Sequence, residues 1–236
     1  MHHVRVDQWS RGSSTLHARD PRAKIGALLV FLIALATTPA NAGITLAIDA
    51  ALLLAGILIA GLPVFNVLLR AMVVLPFSLT FGLLSWLAGD RWRAIGLIEK
   101  SYLSAVAVLL VIGVTPLPAL LNGLERLGAP RMLVLVAQFL YRYLFVISEQ
   151  AQHMRLAAVS RQGDPRVQRK GRFRAAAGAL AVLFARSYYR AEGIHRAMLA
   201  RAFTGHFPLL HTLRFRFADA IFVGATSGLV ILARFQ

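Results

Sequence analysis

Cysteine is absent from all 236 residues, which excludes disulfides, thiolate metal sites and thiol nucleophiles together. Acidic side chains are scarce: 10 Asp and Glu stand against 26 Lys and Arg, a formal net charge of +16. Charged residues of either sign make up 15% of the chain and apolar ones 58%, where a soluble domain carries about 25% charged residues. No GxxxxGK[ST] loop is present to cradle the phosphates of ATP. A GxSxG elbow and a carboxylate pair are also missing, and the lack of a base or nucleophile argues against a membrane enzyme acting on lipid. The reading is an all-α, polytopic membrane protein whose parts outside the bilayer are strongly basic. Such a surface faces an anionic neighbour: lipid headgroups, an acidic protein surface or nucleic acid.

A spanning helix needs about 20 mostly apolar residues, and the pattern predicts five. The segment from Met1 to Lys24 is polar, so no cleavable signal peptide is expected. The first span is predicted over Ile25 to Thr38, with Asp20 as N-cap and Pro21 at the first helical position. Ile44 to Ala60 makes the second, closed by Gly61 and Pro63; Ala71 to Ala88 the third, kinked at Pro76. Ser101 to Val114 makes the fourth and Phe215 to Leu232 the fifth. A competing span, Met132 to Ile147, is short and interrupted by Gln138 and Arg142, and is read as a helix buried against protein.

Arg5, Arg11, Arg19, Arg22 and Lys24 precede the first span, while the turn from Pro39 to Gly43 has no basic residue. The N-terminus is therefore expected in the cytoplasm, with residues 115–214 on the same side and the C-terminus outside. Arg91, Arg93 and Lys100 run against this, partly offset by Asp90 and Glu99. The expected division is 1–114 (lead and four spans), 115–214 (cytoplasmic helices) and 215–236 (last span). Two carboxylates, Asp49 and Asp219, fall within spans; near span ends, snorkelling or an ion pair such as Arg216 with Asp219 is expected to satisfy them.

The 115–214 segment holds fifteen basic residues against Glu125, Glu149, Asp164 and Glu192. One helix is predicted from about Pro130 to Val159. A second, amphipathic helix carries an apolar stripe of Leu180, Phe184, Tyr188, Ala191, Ile194 and Met198, with Arg186, Arg190 and Arg196 on the other side. Glu192 and Arg196 are four apart in the favourable order. Each helix ends in a short arginine-bearing stretch of small residues, "AAVSRQGD" and "AMLARAFTG". One such end reads as an arginine offsetting the macrodipole before a left-handed glycine. Two alike ends on one basic segment point further, to Arg161 and Arg201 each reaching a carboxylate of a closely approaching partner.

Within this frame "LHARDPRAKI" (16–25), with Asp20, Pro21, Arg22 and Lys24, resembles the lead into the first span of a known family. That family is the transmembrane T component of energy-coupling factor transporters, in its cobalt-type CbiQ branch. "SRQGD", with Ser160, Arg161, Gly163 and Asp164, resembles the first of its two Ala-Arg-Gly coupling motifs. "ARAFTG", with Ala200, Arg201, Ala202 and Gly205, resembles the second, and "LYRYLFVISEQ" its helix bearing Arg142. Gln162 and Ala202 stand where the motifs usually carry glycine.

The resemblance implies an inner-membrane scaffold that clamps two cytoplasmic ATP-binding cassette ATPases. It also implies a separate substrate-binding membrane subunit of CbiM type and a small CbiN-type subunit. ATP and Mg would sit on the ATPases and no cofactor on this chain. The polar lead "DQWSRGSSTLH" is similar to the divalent-metal branch, cobalt or nickel, with a vitamin such as biotin as the alternative.

The histidines offer no metal-site spacing: His153, His195, His206 and His211 form no HxxxH or HxxE pattern. "MHH" at the start resembles an amino-terminal copper or nickel chelator, on a terminus unsuited to a transport site. The substrate site is therefore expected on a partner. A nucleic-acid role is disfavoured because the arginines lie on helices without aromatic stacking platforms, and a stand-alone channel because few polar residues line the spans.

Overall fold

The computed structural model describes residues 9–10, 12–39, 41–161, 169–205 and 216–234, with the backbone alone at 161 and 169–172. Every regular element among them is helical. They are α1 (Pro21–Thr37), α2 (Gly43–Ala60), α3 (Val64–Ala71), a 3₁₀ turn (Met72–Val74), α4 (Leu75–Leu87) and α5 (Arg91–Gly113). After these come α6 (Leu117–Arg126), α7 (Arg131–Arg161), α8 (Arg169–Ala200) and α9 (Phe217–Leu232). The chain divides into two compact units, Met1–Val134 with Leu213–Gln236, and Leu135–Thr212.

Among the described residues, four helical stretches are long and apolar enough to cross a membrane: Gly43–Ala60, Val64–Leu87, Arg91–Gly113 and Arg131–Ser160. α9 is apolar but has 16 residues, and α1 has 17. Local chemistry sets the boundaries largely as expected. The Asp20 carboxylate accepts the Arg22 backbone N–H at 2.9 Å, with Pro21 opening the helix, and Gly61, at φ +67°, ends α2 in the left-handed conformation.

Three expectations are corrected. The third stretch begins at Val64 rather than Ala71 and passes through the 3₁₀ turn, so Pro76 lies in the first turn of α4, where a missing N–H costs little. The fourth begins ten residues before Ser101, because only Gly89 and Asp90 of "GDRWR" form the turn. Met132 to Ile147 is only partly covered: within α7, Met132 is 74% and Leu140 66% exposed, and among the described residues α8 faces one side of this stretch across a groove.

The apolar core of the first unit gathers Phe31, Leu35, Leu53, Ile57, Val67 and Val106. At one end of it lies a buried polar cluster. The Lys24 ammonium donates to the Val114 carbonyl and the Thr115 hydroxyl, each at 3.1 Å, and to the His17 carbonyl at 3.3 Å. Asp219, also buried, accepts the Asp20 N–H at 3.3 Å and the Arg216 N–H at 2.9 Å. Its ion-pair partner is the Arg19 guanidinium, at 3.9 Å, and not the expected Arg216 side chain, whose backbone is used instead. Together these bonds tie the starts of α1 and α9 to the end of α5.

The lead folds over this end. The His17 ring bonds Ser14 Oγ at 2.7 Å and the Trp9 carbonyl at 2.9 Å, and Arg70 stacks on the Trp9 ring at 4.1 Å. α6 lies close against the first turn of α1, because a Cβ on Gly123 would stand 3.1 Å from Pro21 Cβ.

At the opposite end, Lys100 of α5 donates to the Thr38 carbonyl, Arg234 after α9 donates to the Thr37 hydroxyl, and Thr45 bonds the Ala233 carbonyl at 3.3 Å. α1 and α9 therefore run parallel, and α5 antiparallel to both. The chain thus leaves α5 and returns to α9 at the same end of the first unit. Asp49 does not snorkel: it is buried nearly two turns into α2, and its Oδ1 has no hydrogen-bond partner there.

Lys24→Met keeps the apolar stem and strips three acceptors, two of them in buried bonds, of their donor. The expected loss is about 3 kcal/mol of stability, read by denaturant unfolding in detergent; a loss under about 1 kcal/mol would show the ammonium to be incidental. Gly123→Val forces α6 off Pro21 and should cost about 1–3 kcal/mol, measured in the same way.

Candidate functional site

The second unit is built on α7 and α8. Their long helical runs follow from alanine, leucine and arginine, strong helix formers, and from the lack of proline between 131 and 161 and between 169 and 200. The residues that face each other fix their relation. Val136, Phe139 and Leu140 near the start of α7 lie across a groove from Ile194 and Met198 near the end of α8. Ala157 and Ala158 near the end of α7 lie across a second groove from Ala179 and Val182 near the start of α8. The two helices are antiparallel, and Gln150 and Arg190 line both grooves, which places the crossing there.

The grooves differ in chemistry. The one toward the start of α8 has a volume of about 780 Å³ and brings Glu149 and His153 opposite Arg186 and Arg190. The other, about 450 Å³, is walled by apolar and aromatic side chains. The expected stripe on α8 holds in its second half, where Ala191, Ile194 and Met198 face α7. Its first half is corrected: Leu180, Phe184 and Tyr188 are exposed, and Arg186 and Arg190 face the groove. Helices that cross present different faces on the two sides of the crossing, and a single stripe drawn along α8 misses that change. Glu149 and His153 are the functional candidates that a single stripe leaves out; their signal is an i, i+4 spacing on the α7 face opposite the arginines.

The predicted site residues fall at the two far ends of this pair. Ser160 is exposed on the last turn of α7, its hydroxyl bonded to the Ala157 carbonyl at 3.1 Å, and Arg161 ends that helix. Gln162, Gly163 and Asp164 lie outside the described residues. Ala200 ends α8, Arg201 and Ala202 are exposed just beyond it, and Gly205 follows with φ +79°. Arg201 makes no ion pair among the described residues. The Glu192–Arg196 pair forms as expected, on an exposed face where such a pair contributes little. Arg142 is exposed on α7.

The structure keeps the two arginines apart. Arg161 is 11 positions past Gln150, and Arg201 is 11 past Arg190. With antiparallel helices and 1.5 Å of rise per residue, the tips stand roughly 30 Å apart, related by an approximate two-fold about the crossing. The other predicted set, Asp20, Pro21, Arg22 and Lys24, lies in the first unit. There Arg22 approaches Asp20 at 3.9 Å, and its Nε and Nη2 are buried without hydrogen bonds. Within that unit those residues close the polar cluster.

Comparison with known proteins gives this arrangement a family. Over 98 residues the chain is 33% identical to the cobalt transport protein CbiQ of Rhodobacter capsulatus, covering 42% of this chain and 39% of that one. It is 30% identical over 99 residues to an uncharacterised protein of Methanocaldococcus jannaschii, covering 42% and 36%. The matches thus span little more than a third of the length of either relative. The sequence model of the cobalt transport protein family CbiQ matches much more of the chain, residues 12–211, reaching from the lead through both helix tips. The chain belongs to the CbiQ cobalt transport protein family.

Proposed function

We propose that this chain is the membrane scaffold and energy-coupling subunit of an ATP-driven cobalt importer. The observation that supports this best is the equivalence of the two tips: two arginine-bearing helix ends at equal distances from one crossing suit two equivalent motor subunits. Arg161 and Arg201 each dock a carboxylate in an acidic groove of one cytoplasmic ATPase. ATP and Mg are bound by those ATPases, and their movement tilts α7 against α8.

The parallel run of α1 and α9 supports placing both tips on the side of the N-terminal lead. The segment between α5 and α9 leaves and returns at one end, so a lone crossing by α7 would bring α9 in from the wrong side. α8 is not among the stretches apolar enough to make a compensating crossing. The exposed apolar residues of α7 are instead covered by lipid or by the membrane subunit that binds the ion. The cargo is held by a separate membrane subunit of CbiM type, with a CbiN-type companion. Membrane lipids are the remaining partner, and nucleic acid is not one. Nickel, or a vitamin such as biotin, is the second reading of the substrate, and uptake by the whole complex of labelled cobalt in competition with nickel and biotin separates them.

Arg161→Glu and Arg201→Glu should each weaken retention of the ATPase subunits by tenfold or more, as expected for a charge-assisted pair of about 1.5–3 kcal/mol. The double variant should release both ATPases and uncouple ATP hydrolysis from cobalt uptake. Co-purification from mild detergent reads the first effect and transport in vesicles the second; a double variant that assembles and transports normally overturns the proposal.

A further inference from the structure

The tip of α8 carries a backbone feature that docking by Arg201 does not by itself account for. Ala202 has φ +52° and is the one non-glycine residue with positive φ among the described residues. Its N–H donates to the Leu199 carbonyl at 3.0 Å, and the Phe203 N–H donates to the Met198 carbonyl at 3.0 Å. These two bonds define a Schellman motif with Ala202 at the left-handed position after the helix, where glycine is the usual residue. A Cβ at that position crowds the following carbonyl oxygen and shifts the local equilibrium against it by about tenfold.

The consequence falls on Arg201. The last carbonyls of α8 are taken by backbone donors, including the Arg201 N–H on Met198 at 3.1 Å, so the guanidinium is not needed as a cap. Were Ala202 right-handed, the helix would continue through it and Arg201 would become one more residue on the shaft of α8, among the arginines already there. The left-handed turn makes Arg201 the last residue before the chain reverses, and Gly205 turns the backbone again three residues on.

We propose that Ala202 is a positioning residue. Its left-handed conformation holds Arg201 at the end of α8, in register for the carboxylate of an ATPase groove. This rests on the coupling reading given above, and deepens it by assigning the third position of the tip motif to backbone geometry rather than to close packing.

The test uses the complete complex of this chain with its ATPases, carrying Ala202→Gly, Ala202→Asn or Ala202→Val. Asparagine and valine are close in size, but asparagine tolerates the left-handed region and valine does not. Gly and Asn should retain the ATPases at least as tightly as the native chain. Val should retain them about tenfold less tightly and import fewer ions per ATP hydrolysed, while the melting temperature of the purified chain moves little. Asn and Val behaving alike, or Val matching the native chain, overturns the inference. Arg201→Glu is the control: if it fails to release an ATPase, the coupling reading itself has failed, whereas its success beside an inert Ala202→Val sinks this inference alone.

Discussion

One buried ammonium group orders the first unit. Lys24 lies in the first turn of α1, where the apolar surroundings would make an unpaired cation prohibitive, and it is kept there by three oxygen acceptors from two other segments of chain. Removing any one of the three segments would strand either the charge or the carbonyls. The lead, the exit from α5 and the start of α1 are therefore bound to one point. Asp219 adds the start of α9 through the Asp20 N–H. Helices that touch only through apolar side chains can slide by a residue, whereas directional bonds at fixed atoms cannot, so this cluster fixes the vertical register of the bundle.

From that register follows the division of labour between the units. The first unit gathers the polar clusters described above at its two ends, with apolar residues and a few buried polar side chains such as Asp49 and Ser78 between them. Among its described residues the second unit has almost no buried interior. Its long helices cross once, and much of their surface is exposed leucine, phenylalanine and arginine. A helix pair of this kind owes little of its stability to itself and much to what covers it.

Much of this architecture was legible in the residues. Asp20 followed by Pro21 announces a helix start because each satisfies or avoids an orphan N–H, and Gly61 announces a stop because only glycine takes that φ without strain. What could not be read locally was set by partners distant in the chain. Asp219 finds Arg19 and the Asp20 backbone some 200 residues away, and no spacing rule connects them. Met132 to Ile147 has the composition of a buried helix, but burial depends on how fully another element arrives, and the described part of α8 meets only one side of it, across a groove. Arg186 and Arg190 looked solvent-facing until the crossing of α7 and α8 turned that face toward Glu149 and His153. The arginines of the tips were legible as chemistry, whereas their separation and the left-handed backbone at Ala202 required the fold.

The brevity of α1 and α9 has a bearing on the surrounding bilayer. At 17 and 16 residues these neighbours are about 25 Å long, against a hydrocarbon thickness of about 30 Å. Were both to span, lipid along that flank would compress to meet them, at a fraction of a kcal/mol for each Å of mismatch. A second membrane protein with similarly short helices would share the deformed annulus rather than create another. A thin side of that kind would draw such a neighbour toward itself before any side chains meet.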